Sequence, residues 1–316
     1  MARNLTILDD YQQIALGSAD WAPLRDTFEI DVVTEHLEGD ALAERLLGSE
    51  VIVAMRERTA FPVQLLDQLP ALRLLVTTGM KNASIDLDAA RRNGVVVAGT
   101  GSAGNSVAEL TLGMMIALTR NFVEEDAAIR SGGWQHAIGP GLAGRTLGIL
   151  GLGRLGVPVA RLARGFDMHV IAWSRSLTPE RAAENGVTAV GRDELFSRPD
   201  ILTIHLPLTA DTRGIVGREE LGMMREDAYL INTSRGPIVD QAALLDALRT
   251  RGIAGAALDV YDIEPLPSED PLRSAPRTLL LPHIGYVSID NYRAFYRDAV
   301  DDVVAYLAGS PVRVLT

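Results

Sequence analysis

Three short segments in the second half of the chain carry side chains able to hold an anion and move a proton. They are Ile231-Asn232-Thr233-Ser234-Arg235-Gly236, Leu258-Asp259-Val260-Tyr261-Asp262-Ile263-Glu264-Pro265 and Leu281-Pro282-His283-Ile284-Gly285. An arginine grips a carboxylate through its planar fork, a histidine exchanges a proton with a carbonyl or hydroxyl oxygen, and a glutamate orients the imidazole and favours its protonated form. Arg235, Glu264 and His283 are therefore the candidate catalytic group. Taken singly, each has a plainer reading: a structural histidine, a turn residue before Pro265, an arginine capping a helix. What joins them is that each segment follows a run of apolar residues that reads as a strand, and ligands bind at the carboxyl ends of strands in doubly wound sheets. His36 and His136 lie in polar loops and His169 begins a strand, whereas His205, before Pro207, also ends one.

A second motif supplies a cofactor. Leu147-Gly148-Ile149-Leu150 reads as a buried strand and leads into Gly151-Leu152-Gly153-Arg154-Leu155-Gly156, a G-x-G-x-x-G with a helix opening at Arg154. Gly151 permits the tight turn, Gly153 lets the backbone reach a pyrophosphate, and Gly156 lets helix and strand approach, while the helix start offers N–H groups and positive dipole. In a chain with 29 glycines the pattern alone could be a turn, but strand and helix on either side give it meaning. The next strand, His169 to Trp173, should end in an acid roughly 20 residues on if the ribose carries a free 2′-hydroxyl. It ends in Ser174-Arg175-Ser176. A guanidinium flanked by hydroxyls suits a 2′-phosphate, so NADP(H) is the preferred cofactor here, with use of both NADP(H) and NAD(H) as the alternative.

The elements that must position these residues follow from alternation of short apolar runs with helical patterns, which is the signature of βαβ units and parallel sheets. In the first hundred residues strands read near Leu5–Leu8, Glu29–Val33, Val51–Ala54, Leu72–Val76 and Val95–Ala98. One long helical segment, Asn105 to Arg130, leads into a second run with six strands: Thr146–Leu150, His169–Trp173, Ile201–His205, Tyr229–Asn232, Ala254–Leu258 and Thr278–Leu281. A closing amphipathic helix, Ile289–Leu307, cannot form a domain alone and is expected to pack on the N-terminal half. The expectation is α/β architecture with two doubly wound parallel-sheet domains: residues 1–102 with 285–316, and 103–284, with a ligand cleft between them.

Composition narrows the classes. The chain has 316 residues, 30 Lys plus Arg against 41 Asp plus Glu, a net charge of −11, 47% hydrophobic residues and no cysteine. Two domains of this size bury their own cores. Disulfides and thiolate metal sites are excluded, and no metal site is expected. The acidic balance without a basic run argues against nucleic acid or an anionic membrane as partner. Met1 to Asp10 fits neither a signal peptide nor a membrane span, so a cytoplasmic location is expected.

With these segments on the page, the sequence resembles the D-isomer-specific 2-hydroxyacid dehydrogenase family over nearly its whole length. Further matches are Trp134 with Leu142-Ala143-Gly144-Arg145-Thr146-Leu147-Gly148, His205-Leu206-Pro207-Leu208-Thr209, and the block from Met224 through Arg235 to Leu248. The resemblance implies a Rossmann cofactor domain plus a flavodoxin-like substrate domain built from both chain ends, catalytic Arg235, Glu264 and His283, and a homodimer formed mainly through the cofactor domains. It implies that Asp259 holds the nicotinamide carboxamide, that Leu206, Pro207, Thr233 and Ser234 line the nicotinamide half, and that Gly285 belongs to the same site. A glutamine would replace Glu264 in a formate dehydrogenase, so Glu264 implies hydroxyacid chemistry. With the closing helix lying so near Thr316, the regulatory domain of many phosphoglycerate dehydrogenases is not expected. The Trp173-Ser174-Arg175-Ser176 stretch is similar to NADPH-dependent glyoxylate and hydroxypyruvate reductases, so a small 2-oxoacid is the expected substrate. The alternatives are a larger 2-oxoacid, oxidation of phosphite or formate, and a non-catalytic nucleotide-sensing corepressor.

The departures from the family lie on the substrate side. Where relatives usually carry a glycine pair after the fourth strand, this chain reads Thr77-Thr78-Gly79-Met80-Lys81-Asn82-Ala83, and Lys81 is the sole lysine among 30 basic residues. Gly79, Met80 and Lys81 are the candidate substrate loop, with Lys81 on the substrate carboxylate or its distal group; a solvated loop lysine is the competing reading. Arg56, in Met55-Arg56-Glu57-Arg58-Thr59, is a further candidate beside the plainer reading of a salt-bridged loop. Ser106 with Glu109 reads as a capping box at the start of the long helix.

Overall fold

The computed structural model describes residues 3–315. The chain divides into two compact units, residues 1–104 with 288–316, and residues 105–287.

The first unit holds a five-stranded parallel sheet: β1 (Arg3–Ile7), β2 (Phe28–Val32), β3 (Ser49–Ala54), β4 (Leu74–Thr77) and β5 (Val96–Gly99). Their order, β2-β1-β3-β4-β5, is that of the flavodoxin-like doubly wound sheet. The central strands are apolar on both faces: Val51, Ile52 and Val53 of β3 and Leu74, Leu75 and Val76 of β4 are all buried. That continuous burial is what helices covering both faces require. The closing helix Ile289–Leu307 belongs to this unit as expected, burying Phe295, Ala299 and Val303, with Tyr292 and Tyr296 packed ring edge to face at 6.0 Å.

The second unit holds seven parallel strands: β6 (Thr146–Leu150), β7 (His169–Trp173), β8 (Thr188–Ala189), β9 (Ile201–Ile204), β10 (Tyr229–Asn232), β11 (Gly255–Leu258) and β12 (Thr278–Leu280). The order β12-β11-β10-β9-β6-β7-β8 reverses direction between β6 and β9, giving the switch point at which dinucleotides bind. The two-residue edge strand β8 escapes the sequence pattern because so short a run has no period to read. Among the described residues no helix is long and apolar enough to cross a membrane.

Three local expectations are corrected. The long segment from Asn105 is not one helix: it breaks into Ser106–Thr119 and Phe122–Arg130. Asn121 adopts the left-handed conformation (φ 52°), which an asparagine tolerates and an apolar period does not reveal. The cap position of the first of these helices is Asn105 rather than Ser106, and the Asn105 side chain makes no cap hydrogen bond. The helix of the glycine motif opens at Gly156 rather than Arg154, with Leu155 at its cap.

Candidate active site

The glycine loop lies at the switch point. Gly151 sits at φ +103°, and a Cβ there would come 2.9 Å from the His205 carbonyl, so the turn between β6 and the loop after β9 admits only glycine. A Cβ on Gly153 would meet nothing within 4 Å, which leaves the open strip beside the helix start that a pyrophosphate needs. From this loop a groove of about 400 Å³ runs past Ser174, Arg175 and Ser176 on one side and Leu206 and Pro207 on the other. Ser174, Arg175 and Ser176 suit the adenosine half of a dinucleotide, and Leu206 and Pro207, expected along the nicotinamide half, instead line this same groove, because the loop after β9 runs beside the end of β7. Arg154, Leu155 and Gly156 form the helix start and do not line this groove. An arginine and an aspartate that the motif does not name also line it, Arg181 and Asp211. Arg175 donates to Asp211 Oδ2 at 2.9 Å. Nothing in the sequence near Arg175 signals a partner 36 positions away.

His205 is buried against the same wall and shares a hydrogen bond with Thr203 Oγ1 at 3.0 Å through Nε2. Burial pushes its pKa down to about 4, so the ring is neutral, and Nδ1 has no partner among the described residues. It is a structural base of the groove and not a second proton donor.

The loops after β10, β11 and β12 carry the three candidate catalytic residues. His283 Nδ1 donates to Glu264 Oε2 at 2.6 Å, which leaves Nε2 to face a reacting oxygen. Glu264 is itself fixed, because its other oxygen accepts the Tyr261 N–H at 2.8 Å. Tyr261 also meets the arginine loop: a Cβ on Gly236 would run into the Tyr261 carbonyl, so the Arg235 and Glu264 segments touch only because position 236 is glycine. Arg235 is half-buried and donates to the Ser234 carbonyl at 2.8 Å.

His283 has a left-handed backbone (φ 53°), uncommon for a residue with a Cβ. Asp259 holds it there. Its two oxygens accept the N–H groups of Ile284 at 2.7 Å and Gly285 at 2.8 Å, tying the β12 loop to the end of β11. Burial raises the Asp259 pKa to about 6 against the pull of those two donors. Tyr286 packs edge to face on the His283 ring at 5.4 Å; no spacing argument pointed to it. Thr233 Oγ1 pairs with Thr111 Oγ1 at 3.0 Å, and the Ser234 hydroxyl donates to the Leu206 carbonyl, which joins the β10 loop to the β9 loop.

The candidate substrate residues lie together in the first unit. The Gly79 N–H donates to Thr100 Oγ1 at 2.8 Å, and the Arg56 guanidinium covers Gly79 so closely that a Cβ would come 2.5 Å from Nη1. Asn82 donates to the Arg56 carbonyl at 2.7 Å, bracing the two loops. Arg56 also faces Glu57 at 3.5 Å. Met80 and Lys81 are exposed.

Comparison with known proteins bears on the family and the fold. The profile described as "D-isomer specific 2-hydroxyacid dehydrogenase, NAD binding domain" matches residues 112–285. A glyoxylate reductase of Thermococcus litoralis is 36% identical over 78% of this chain and 77% of its own length. A D-3-phosphoglycerate dehydrogenase of Methanocaldococcus jannaschii is 35% identical over 83% of this chain and 50% of its own. The crystal structure of a phosphoglycerate oxidoreductase from Vibrio cholerae superposes with a TM-score of 0.92 at 33% identity, covering 98% of this chain and all of that one. With the two parallel sheets, the glycine loop at the switch point and the paired histidine and glutamate, the chain belongs to the D-isomer-specific 2-hydroxyacid dehydrogenases, nicotinamide-dependent oxidoreductases.

Proposed function

We propose that the protein reduces a small 2-oxoacid of the glyoxylate or hydroxypyruvate type to the D-2-hydroxyacid, with NADP(H) preferred over NAD(H). The observation that carries the chemistry is the His283–Glu264 pair at 2.6 Å. A carboxylate only accepts, so Nδ1 keeps its proton and Nε2 is the atom that gives one to the substrate oxygen. Glu264 stabilises the charged ring before transfer. Arg235 holds the substrate carboxylate and polarises the neighbouring carbonyl. A nicotinamide held by these residues would supply the hydride for the keto carbon. The glycine-loop residues Gly151, Gly153, Arg154, Leu155 and Gly156, with Leu206, Pro207, Thr233, Ser234, Asp259 and Gly285, hold the cofactor, the first unit being the substrate domain and the second the cofactor domain. Arg175 with Ser174 and Ser176 supports the NADP(H) preference. Gly79, Met80, Lys81 and Arg56 contact the substrate.

Initial rates of NADPH and NADH oxidation with glyoxylate, hydroxypyruvate, pyruvate and phenylpyruvate test the reading. Turnover of the two small acids, faster with NADPH, is the expected result; a clear NADH preference overturns the cofactor assignment. A KM for glyoxylate that Lys81→Ala leaves unchanged removes Lys81 from the substrate site. A larger 2-oxoacid is the second reading, favoured by the exposed Met80 and Lys81 of the candidate substrate loop. We further assign a homodimer to the exposed apolar surface of the second unit around Phe122, Ile129, Trp134 and Ile138.

A further inference from the structure

We propose that Asp211 is a specificity-determining residue that holds down the preference for the phosphorylated cofactor and sustains use of the unphosphorylated one. The strand that would carry an acid for the adenosine ribose, β7, ends without one. The fold brings an acid to the same place from another loop: Asp211, in the segment after β9, stands across the groove and accepts from Arg175 at 2.9 Å. Its position is set by the backbone. The Thr212 hydroxyl donates to the Pro207 carbonyl at 2.7 Å and accepts the Thr209 N–H at 2.8 Å, and the Arg213 N–H closes on the Thr209 carbonyl at 3.0 Å, so Asp211 sits at the tip of a tied turn.

The chemistry of the two cofactors differs at this point alone. A 2′-phosphate is a dianion: it competes with Asp211 for the Arg175 guanidinium and is repelled by the carboxylate it displaces. A 2′-hydroxyl is a donor, and a carboxylate that already holds Arg175 has lone pairs left to accept it. Arg181, on the same groove, adds a second positive charge. Asp211 therefore opposes two arginines that favour NADPH, and does for NADH what an acid at the end of β7 does elsewhere. Arg175 and Asp211 are 75% and 66% exposed, so the pair is screened and the effect is graded, about two- to fivefold in affinity and not a switch.

The proposal rests on the cofactor reading above only in placing the adenosine ribose in this groove. The test is calorimetric titration of 2′,5′-ADP and 5′-AMP into the wild type, Asp211→Asn and Arg175→Ala at low salt, with NADPH and NADH binding followed by fluorescence. Asp211→Asn is expected to tighten 2′,5′-ADP and NADPH by about two- to fivefold and to weaken NADH, with the gain shrinking as salt is added. Unchanged or weaker 2′,5′-ADP binding in Asp211→Asn, alongside a clear loss in Arg175→Ala, overturns this proposal and leaves the cofactor groove standing. No change in either variant removes the groove assignment as well.

Discussion

His283 shows how much support one candidate catalytic side chain needs. Its ring is aimed by Glu264, packed by Tyr286, and carried on a left-handed backbone that the Asp259 carboxylate pins through two N–H groups. His205 is buried and its pKa is pushed down to about 4, so His283 is the histidine proposed to protonate a forming alkoxide. His283→Ala is expected to lower kcat on the order of 10²–10⁴-fold while NADPH binding stays at the wild-type level. A kcat near normal in that variant, measured by initial rates beside a fluorescence titration of NADPH, would refute the assignment.

At the level of elements, the junction between the closing helix Ile289–Leu307 and the C-terminal segment carries a titratable lock. Arg313 donates to the Asp302 carboxylate at 3.0 Å and to the Asp298 carbonyl at 2.8 Å. The segment then pairs with β5, through Gly99 N–H to Arg313 carbonyl at 3.0 Å and Leu315 N–H to Val97 carbonyl at 2.7 Å. Asp302 is 1% exposed, and its Oδ2 has no partner among the described residues. Burial, opposed by Arg313 and reinforced by Asp298 and Asp301, raises its pKa to about 7 from 3.8. The folded state therefore holds a proton that the unfolded chain releases at lower pH. The contribution is fully present below about pH 4 and is lost as pH rises through 7. Asp302→Asn keeps the acceptor and removes the charge, so its Tm relative to the wild type should be higher at pH 8 than at pH 5. An equal difference at the two pH values in thermal denaturation would show that Asp302 does not titrate in this range.

For the whole molecule, the proposed homodimer is the quantity to measure. Trp134 is 72% exposed and Ile138 fully so, on a stretch of the second unit that also exposes Phe122, Val123 and Ile129. These exposed apolar side chains, in a chain with net charge −11, are what support the proposed dimer. Trp134→Glu is expected to shift the mass from dimer to monomer in light scattering; a monomeric wild type would end the proposal. What the sequence determined by itself was the class of sheets, the glycine loop and the Arg, Glu and His segments, because each is written in contiguous residues with a readable period or spacing. It also located the closing helix, whose apolar stripe needs a partner. It misjudged the long helix, since a single left-handed Asn121 leaves no mark on hydrophobic periodicity. Only the tertiary structure decided what surrounds these residues: the Tyr286 ring on His283, the Gly236 contact with Tyr261, and Asp211 brought across the groove to Arg175. The physical reason is the same in all three. A strand fixes which residues reach its carboxyl end, but which loop faces which is set by strand order and packing, and these contacts join residues whose separation in sequence carries no signal.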